Sequence, residues 1–218
     1  MNGRPTLRLV VLISGSGSNL QAIIDGCAEG SIDAEVAAVI SNRPSVRGLE
    51  RATEAHISSE VVDHTEYDSR DAFERALIER IDAFRPDLVI LAGFMRILTP
   101  GFVRHYAGRM LNIHPSLLPR FQGLHTHRRA LEAGDATHGA SVHFVTEELD
   151  GGPVVLQAVV PVLPGDDEER LAARVLEQEH RIYPAVIQWI AEGRVRLDPE
   201  IGVVFDNKPL PQPRRWAD

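Results

Sequence analysis

The sequence predicts an α/β fold, in which a doubly wound and mostly parallel sheet carries an antiparallel hairpin in its C-terminal part. Short runs rich in valine and isoleucine alternate with segments of helical periodicity through the first half of the chain. This alternation is typical of parallel sheets with helices on both faces. Later, two strand-like runs follow one another without a helix between them. The 218 residues, 44% hydrophobic and 25% charged, suffice for one globular domain with a proper core.

The first unit is predicted to be a strand, a glycine loop and a helix. Leu7–Ser14 is an apolar run that stops at Gly15–Asn19, so a buried strand should precede a tight turn. Ser18 and Gln21 have the spacing of a capping box, which predicts a helix that begins there and ends near Gly30.

Further strands are predicted where apolar runs recur, at 34–41, 58–63, 87–94 and around Met110–Ile113.

Helices are predicted between these strands. One covers 48–55, a second is capped by Asp68 and closed by Pro86, and a third begins at Thr99 before Pro100.

The last third of the chain changes character. Residues 140–148 and 153–162 are predicted to form the hairpin, at the edge of the sheet. A long helix over 166–192 begins with acidic residues, which suit its positive end. Short strands are expected over 195–205, and the proline-rich residues 209–218 are expected to form a loose tail.

Composition narrows the class of partner. The net charge of -8, from 23 basic and 31 acidic residues, disfavours a nucleic-acid partner. No apolar run reaches the roughly 18 residues of a membrane helix, and Met1–Thr6 lacks the apolar core of a signal peptide. A single cysteine, Cys27, fits a reducing compartment. We therefore expect a cytoplasmic protein that acts on small molecules, without a membrane partner, as a monomer or a homodimer.

The glycine loop is a candidate anion site, because two glycines before a helix N-terminus let a phosphate approach free N–H groups. A dinucleotide fingerprint would need a third glycine at Leu20, and a Walker loop would need lysine followed by serine or threonine; neither is present. A sharp turn without a ligand stays open as the alternative.

Asn112 and His114 form the second candidate site. Alternation along a strand places both side chains on one face, at a carboxyl end where open α/β sheets bind ligands. Asparagine can donate to an oxyanion and histidine can exchange protons near neutrality, a combination that suits acyl or formyl transfer. The alternative is a structural asparagine beside a satisfied core histidine.

Asp150 lies in the Asp-Gly-Gly-Pro turn of the predicted hairpin. The hairpin would bring its carboxylate back to the same rim, where a negative charge favours the protonated imidazole of His114. A turn residue that bonds its own backbone is the alternative.

Metal and serine-hydrolase chemistry are disfavoured. The histidines at 125, 127, 138 and 143 lack a cysteine partner or an H-E-x-x-H motif, so turn or hydrogen-bonding roles are favoured for them over metal ligation. No G-x-S-x-G elbow surrounds the serines at 14, 16 and 116.

Six segments together resemble a known family. The chain contains, in order, ISGSGSNLQAII, LAGFMRIL, LNIHPSLLP, GLHTH, SVHFVTEELDGGP and QEHRIYP. They resemble the phosphoribosylglycinamide formyltransferases, the folate-dependent enzymes of purine biosynthesis, from about Leu9 to Gly193. HPSLLP and the Asp-Gly-Gly turn are shared more widely among enzymes that use 10-formyltetrahydrofolate, whereas the glycine loop with Asn19 indicates the acceptor, glycinamide ribonucleotide.

The resemblance implies a role for each matching residue. The catalytic positions are Asn112, His114 and Asp150. The acceptor-binding positions are Gly15, Ser16, Gly17, Ser18, Asn19, Met95 and Glu179. The folate-binding positions are Arg70, Met95, Arg96, Ile97, Leu98, Asn112, Glu147, Glu148, Leu149 and Asp150. The implied cosubstrate is 10-formyltetrahydrofolate, and no metal is implied. Gln122 departs from the family, which is expected to have proline there, and this change is expected to alter the stiffness of the loop.

The implied architecture is one formyltransferase-like domain over residues 1–218. A Rossmann-like nucleotide-binding half covers about 1–105, a folate-binding and catalytic half about 106–195, and a C-terminal extension about 196–218. The stretch Leu117–His127, punctuated by Pro119 and Gly123, is predicted to be a lid.

Three alternatives stay open at this point. Formyltetrahydrofolate deformylase shares the HPSLLP region but typically carries an N-terminal regulatory domain, for which the first strand at about Leu7 leaves no room. Methionyl-tRNA formyltransferase needs a further C-terminal domain and a basic surface. A non-catalytic nucleotide-binding module would use the glycine loop alone and would tolerate the loss of His114.

Overall fold

The computed structural model describes residues 6–217. Residues 1–5 and Asp218, the ends of the predicted single domain and of the predicted tail, lie outside this range.

Eleven strands form two sheets within the described chain. They are β1 (Leu7–Ile13), β2 (Ala34–Ser41), β3 (Ser59–Val61), β4 (Leu88–Leu91), β5 (Met110–His114), β6 (Thr137–Phe144), β7 (Val154–Pro161), β8 (Val195–Asp198), β9 (Gly202–Phe205), β10 (Lys208–Pro209) and β11 (Arg214–Arg215).

Six α-helices and one 3-10 turn (His64–Glu66) connect them over the same residues. The helices are α1 (Ser18–Glu29), α2 (Arg47–Glu54), α3 (Arg70–Ala83), α4 (Pro100–His105), α5 (Thr126–Glu132) and α6 (Glu168–Ala191). Between residues 6 and 217, none of the helices combines the length and the hydrophobicity needed to cross a bilayer.

The large sheet has the order β11-β7-β6-β5-β4-β1-β2-β3. Strands β5, β4, β1, β2 and β3 are parallel, whereas β6 runs antiparallel to both β5 and β7. A separate antiparallel sheet contains β8, β9 and β10. The predicted α/β class, the mostly parallel sheet and the antiparallel hairpin are confirmed. The division of the chain into halves at about residue 105 stays a prediction.

Helices cover both faces of the large sheet, because alternate residues of its central strands point in opposite directions. Leu9, Val11 and Ile13 of β1 pack in one buried cluster with α1 and α6. Val10 and Leu12 pack in the other with α3 and α4. The parallel strands β1, β2, β4 and β5 therefore lie in the buried centre, and their carboxyl ends meet at one edge.

The predicted capping box of α1 is wrong. Ser18 is the first helical residue, and the N-cap is Gly17, which makes no side-chain hydrogen bond. Gly17 has a left-handed backbone with φ 69°, and a Cβ there would lie 2.7 Å from the Cα of Gly48. The close approach of α2, rather than a cap, determines how α1 begins.

Several predicted boundaries also differ. Ser69 caps α3 in place of Asp68, since its hydroxyl accepts from the N–H of Ala72. Strands β3 and β4 are shorter than the predicted 58–63 and 87–94, because they pair with their neighbours only over Ser59–Val61 and Leu88–Leu91. Helix α5 was missed, since its seven residues, THRRALE, are too few for a clear helical periodicity.

The expected loose tail is also wrong, because residues 208–216 pair with the rest of the fold. β11 extends the large sheet beside β7, so the hairpin does not form its edge. The N–H of Trp216 donates to the carbonyl of Gln157 at 2.8 Å. The Arg214 guanidinium lies 4.5 Å from the centre of the Phe205 ring, at cation–π distance.

Candidate active site

The predicted site residues gather at the carboxyl edge of the large sheet. Ser14–Gly17 follow β1, Met95 follows β4, and Asn112 and His114 end β5. The turn between β6 and β7 brings Asp150 to the same edge. The topology therefore places residues from distant parts of the sequence in one region, as expected for an open α/β sheet.

The glycine loop leaves the first turn of α1 without a side-chain cap. Arg51 of α2, which the sequence analysis missed, brings a cation to this loop. Its Nε donates to the carbonyl of Ser16 at 2.9 Å, and its Nη1 donates to Gln21 Oε1 at 2.9 Å. Free helix N–H groups and a guanidinium both favour an anion. A single arginine in a polar helix belongs to no motif, so the sequence carried no signal for it.

Two buried polar side chains, Asn19 and Glu179, lie beside the glycine loop. Asn19 Nδ2 donates to Glu179 Oε2 at 2.7 Å, and both side chains are buried. Burial raises the pKa of the Glu179 carboxyl, although the Asn19 hydrogen bond opposes this shift. Within residues 6–217, Asn19 Oδ1 has no hydrogen-bond partner. Oxygen acceptors in this position suit a ligand that offers hydroxyl donors.

His114 and Asp150 form a buried pair. His114 Nδ1 lies 3.5 Å from Asp150 Oδ2, and the two side chains are 7% and 9% exposed. His114 Nε2 lies 2.9 Å from the carbonyl oxygen of Phe121. Both ring nitrogens thus face oxygen atoms that can accept hydrogen bonds.

His143, for which a turn or hydrogen-bonding role was favoured over metal ligation, holds Asn112. Its Nδ1 lies 3.0 Å from the carbonyl oxygen of Phe144, which can only accept, so Nδ1 carries the hydrogen. Burial lowers the pKa of His143, so the ring stays neutral and Nε2 is an acceptor. Asn112 Nδ2, 3.1 Å away, therefore donates to it. His143 lies directly opposite Asn112 in the β5–β6 pair, a register that the sequence does not reveal.

The turn that carries Asp150 is sterically defined. Asp150 has a left-handed backbone with φ 50°, and a Cβ at Gly152 would lie 1.9 Å from the carbonyl oxygen of Phe144. Two residues of the predicted lid over 117–127 also form hydrogen bonds to Asp150. The N–H of Gly123 donates to Asp150 Oδ2 at 2.9 Å, and Gln122 Nε2 donates to the Asp150 carbonyl at 3.3 Å. Gln122 thus adds a hydrogen bond that a proline could not make.

A cavity of about 110 Å³ opens beside Asn112 and His143. Apolar side chains line most of it, including Phe94, Val103 and Val145. The predicted folate positions that line it are Arg96, Ile97, Leu98, Asn112, Glu147, Glu148, Leu149 and Asp150.

Two predicted folate positions do not line this cavity. Arg70 is the exposed first residue of α3. Met95 has a side chain that is 64% exposed, and its N–H donates to Ser14 Oγ at 2.7 Å. From residue 6 to residue 217, no three histidine, cysteine, aspartate or glutamate side chains are grouped to hold a metal.

His127, the last residue of the predicted lid over 117–127, lies beside a second histidine, His138. His138 Nε2 and His127 Nδ1 are 3.2 Å apart. Burial lowers the pKa of His138 from 6.5 to about 4, and it also lowers the pKa of His127. These rings are therefore neutral in the folded protein near neutral pH.

This pair predicts that the free energy of unfolding falls as the pH drops from about 6.5 to about 4. The pKa of His138 is lower in the folded state, so the unfolded chain binds the proton first and is favoured. Each such histidine contributes a slope of up to about 1.4 kcal/mol per pH unit. Urea unfolding at a series of pH values measures it. His138→Gln should flatten the curve, whereas the exposed control His105→Gln should not; equal slopes in the two variants would contradict the prediction.

The chain is similar to known proteins along almost its whole length. A family model described as formyl transferase matches residues 7–187. Phosphoribosylglycinamide formyltransferase of Escherichia coli is 58% identical over 212 residues, which are 97% of this chain and 100% of that protein. The Haemophilus influenzae protein of the same name is 49% identical, over 94% of this chain and 96% of its own.

Solved structures agree with this similarity. The phosphoribosylglycinamide formyltransferase of Coxiella burnetii superposes with a TM-score of 0.92 at 48% identity, covering 98% of this chain and 100% of its own.

Proposed function

The chain belongs to the formyl transferase family, and from this premise we propose that it transfers a formyl group from 10-formyltetrahydrofolate to the amine of N1-(5-phosphoribosyl)glycinamide. The products are the N-formyl ribonucleotide and tetrahydrofolate, in purine biosynthesis. The observation that carries the proposal is the 58% identity to the E. coli enzyme over all of that protein's length. We also propose that the chain acts in the cytoplasm on these small molecules.

The site fits both substrates. Arg51 and the uncapped start of α1 suit the phosphate, and the acceptors of Asn19 and Glu179 suit the ribose hydroxyls. The apolar cavity beside Asn112 suits the ring system of the folate. The cosubstrate supplies an activated formyl group on a nitrogen that can leave.

In the reaction, the neutral amine attacks the formyl carbon and the carbonyl oxygen becomes an oxyanion. Asn112, oriented by His143, donates its second N–H to this oxygen, and the His114 imidazolium stabilises the charge. The bond to the folate nitrogen then breaks, the amine loses one proton, and the folate nitrogen gains one. His114 Nε2 is bonded to the Phe121 carbonyl, so we expect the oxyanion to replace that carbonyl when the lid stretch moves.

Loss of the formyl group, followed by absorbance with purified protein, tests the proposal. Turnover that requires the ribonucleotide would support the transferase. Turnover without any acceptor would indicate a deformylase, a hydrolase. No turnover in either reaction, from protein shown to be folded, would indicate a non-catalytic binding module.

Gly17→Ala is expected to weaken ribonucleotide binding as well as to lower the free energy of unfolding. The left-handed backbone costs alanine about 1–2 kcal/mol, and the new Cβ would displace Gly48, which lies 2.7 Å away. We expect the KM for the ribonucleotide to rise at least about tenfold.

Gly30→Ala is the matched control, because Gly30 ends the same helix in the same conformation with no atom within 4 Å of the added Cβ. It should lose stability and keep its KM. A similar KM in the two variants would refute a role for the glycine loop in binding.

A further inference from the structure

A buried hydrogen-bond chain connects three neighbouring strand ends. Ser14 follows β1, Asn42 follows β2, and Met95 lies beyond β4, on the other side of β1 in the sheet. The Ser14 hydroxyl donates to Asn42 Oδ1 at 2.5 Å and accepts from the backbone N–H of Met95 at 2.7 Å. One hydroxyl group therefore joins all three strand ends.

Burial separates these hydrogen bonds from bulk water. Ser14 is 4% exposed and Asn42 is 1% exposed, so bulk water cannot substitute for either partner. A hydroxyl has one hydrogen to donate. Because Asn42 Oδ1 takes that hydrogen, the oxygen lone pairs remain for the Met95 N–H. The backbone carbonyl of Asn42 lies 2.9 Å from His64 Nδ1, which fixes Asn42 in turn.

These hydrogen bonds lie between the two proposed substrate sites. Ser14 directly precedes Gly15 of the glycine loop. On the other side, Phe94 and Arg96, the neighbours of Met95, line the cavity beside Asn112. The Met95 side chain itself is exposed, so Met95 is joined to Ser14 by its backbone N–H, in the middle of residues 92–98, the Met95 loop.

We infer that Ser14 and Asn42 are positioning residues, which hold the Met95 loop against the glycine loop and thereby set the affinity for both substrates. The inference rests on the proposed function, because it assigns the glycine loop to the ribonucleotide and the Met95 loop to the folate. Neither residue touches the reacting atoms. Their effect is expected in KM rather than in kcat, and it should extend to both substrates together.

Three alanine variants separate this role from general stability. Ser14→Ala should raise the KM for each substrate about fivefold, the factor that corresponds to one neutral hydrogen bond of roughly 1 kcal/mol, with a smaller change in kcat. Asn42→Ala keeps the bond to Met95 but frees the hydroxyl, so its KM values should rise about twofold. The double variant should have KM values no higher than those of Ser14→Ala, since both substitutions act on the same series of hydrogen bonds.

Ser41→Ala is the matched control. Ser41 is fully buried at the end of β2, next to Asn42, but its hydroxyl bonds locally, to the carbonyl and the N–H of Arg43. It should lose stability and keep both KM values. If Ser14→Ala does not fold, Asn42→Ala against Ser41→Ala makes the same comparison.

Amide hydrogen exchange of residues 92–98 gives a readout that does not depend on formyl transfer. Exchange should be faster in Ser14→Ala than in Ser41→Ala, with the protein alone. Unchanged KM values in Ser14→Ala and Asn42→Ala, or equal rises in Ser41→Ala, would overturn the inference, as would unchanged exchange. A wild-type chain that transfers no formyl group, with faster exchange in Ser14→Ala, would refute the proposed function and still support the anchoring of the loop.

Discussion

Alanine at Asn112 or at His114 is expected to lower kcat at least about 100-fold, the scale of losing one oxyanion donor. Asn112 has one N–H fixed by His143, which leaves the other for the developing charge. His114 faces oxygen atoms through both ring nitrogens, with Nδ1 3.5 Å from Asp150 Oδ2, and it is the second group that the proposed mechanism directs at the oxyanion. Both groups gain most of their interaction energy in the transition state, so kcat should fall more than KM rises.

Single-turnover measurements on the two variants separate chemistry from binding and product release. His105→Ala is the control, since His105 is an exposed histidine on α4 that pairs with Asp82, and it should retain wild-type kcat. Near-normal turnover in Asn112→Ala or in His114→Ala would refute the assignment of that residue.

The parts of the fold that the sequence predicted share one property: their signal is local. The β2 run has the predicted bounds, and Gly30 ends α1 as expected, because apolar periodicity and a left-handed glycine are properties of a few adjacent residues. The capping box failed because contact between Gly17 and Gly48 overrides the preference of Ser18. The tail was missed because β10 and β11 have two residues each, and only their partners make them strands.

The same distinction applies to the site. Asn112 and His114 are close in sequence and share a strand, so alternation alone placed them together. Arg51 and His143 were missed because their roles depend on the packing of α2 and on the register of β6 against β5. The pairing of Asp150 with His114 was expected, but the resemblance supported it more than the spacing did. The hydrogen bond from the Gly123 N–H to Asp150 depends on the path of residues 117–127, which no local sequence pattern predicts.

Asp150→Asn is expected to lower kcat at least about 100-fold while the fold stays intact. The amide oxygen can still accept from the N–H of Gly123, at the place of Oδ2. The amide nitrogen would then take the place of Oδ1, which lies 3.9 Å from His143 Nε2, beyond hydrogen-bond distance. The substitution thus preserves shape and hydrogen bonds and removes the charge that faces His114.

The shape of the pH–rate profile distinguishes this loss of charge from a loss of structure. The substitution removes the carboxylate charge that lies 3.5 Å from His114 Nδ1, so we expect the shape of the kcat–pH profile to change in Asp150→Asn. Asp206→Asn is the matched control, because Asp206 has the same left-handed backbone, with φ 48°, and pairs with Arg194. That variant should lose some stability and keep both kcat and the profile. A profile in Asp150→Asn that coincides with that of the wild type would mean that Asp150 acts by orienting the turn, through Gly123, rather than by its charge.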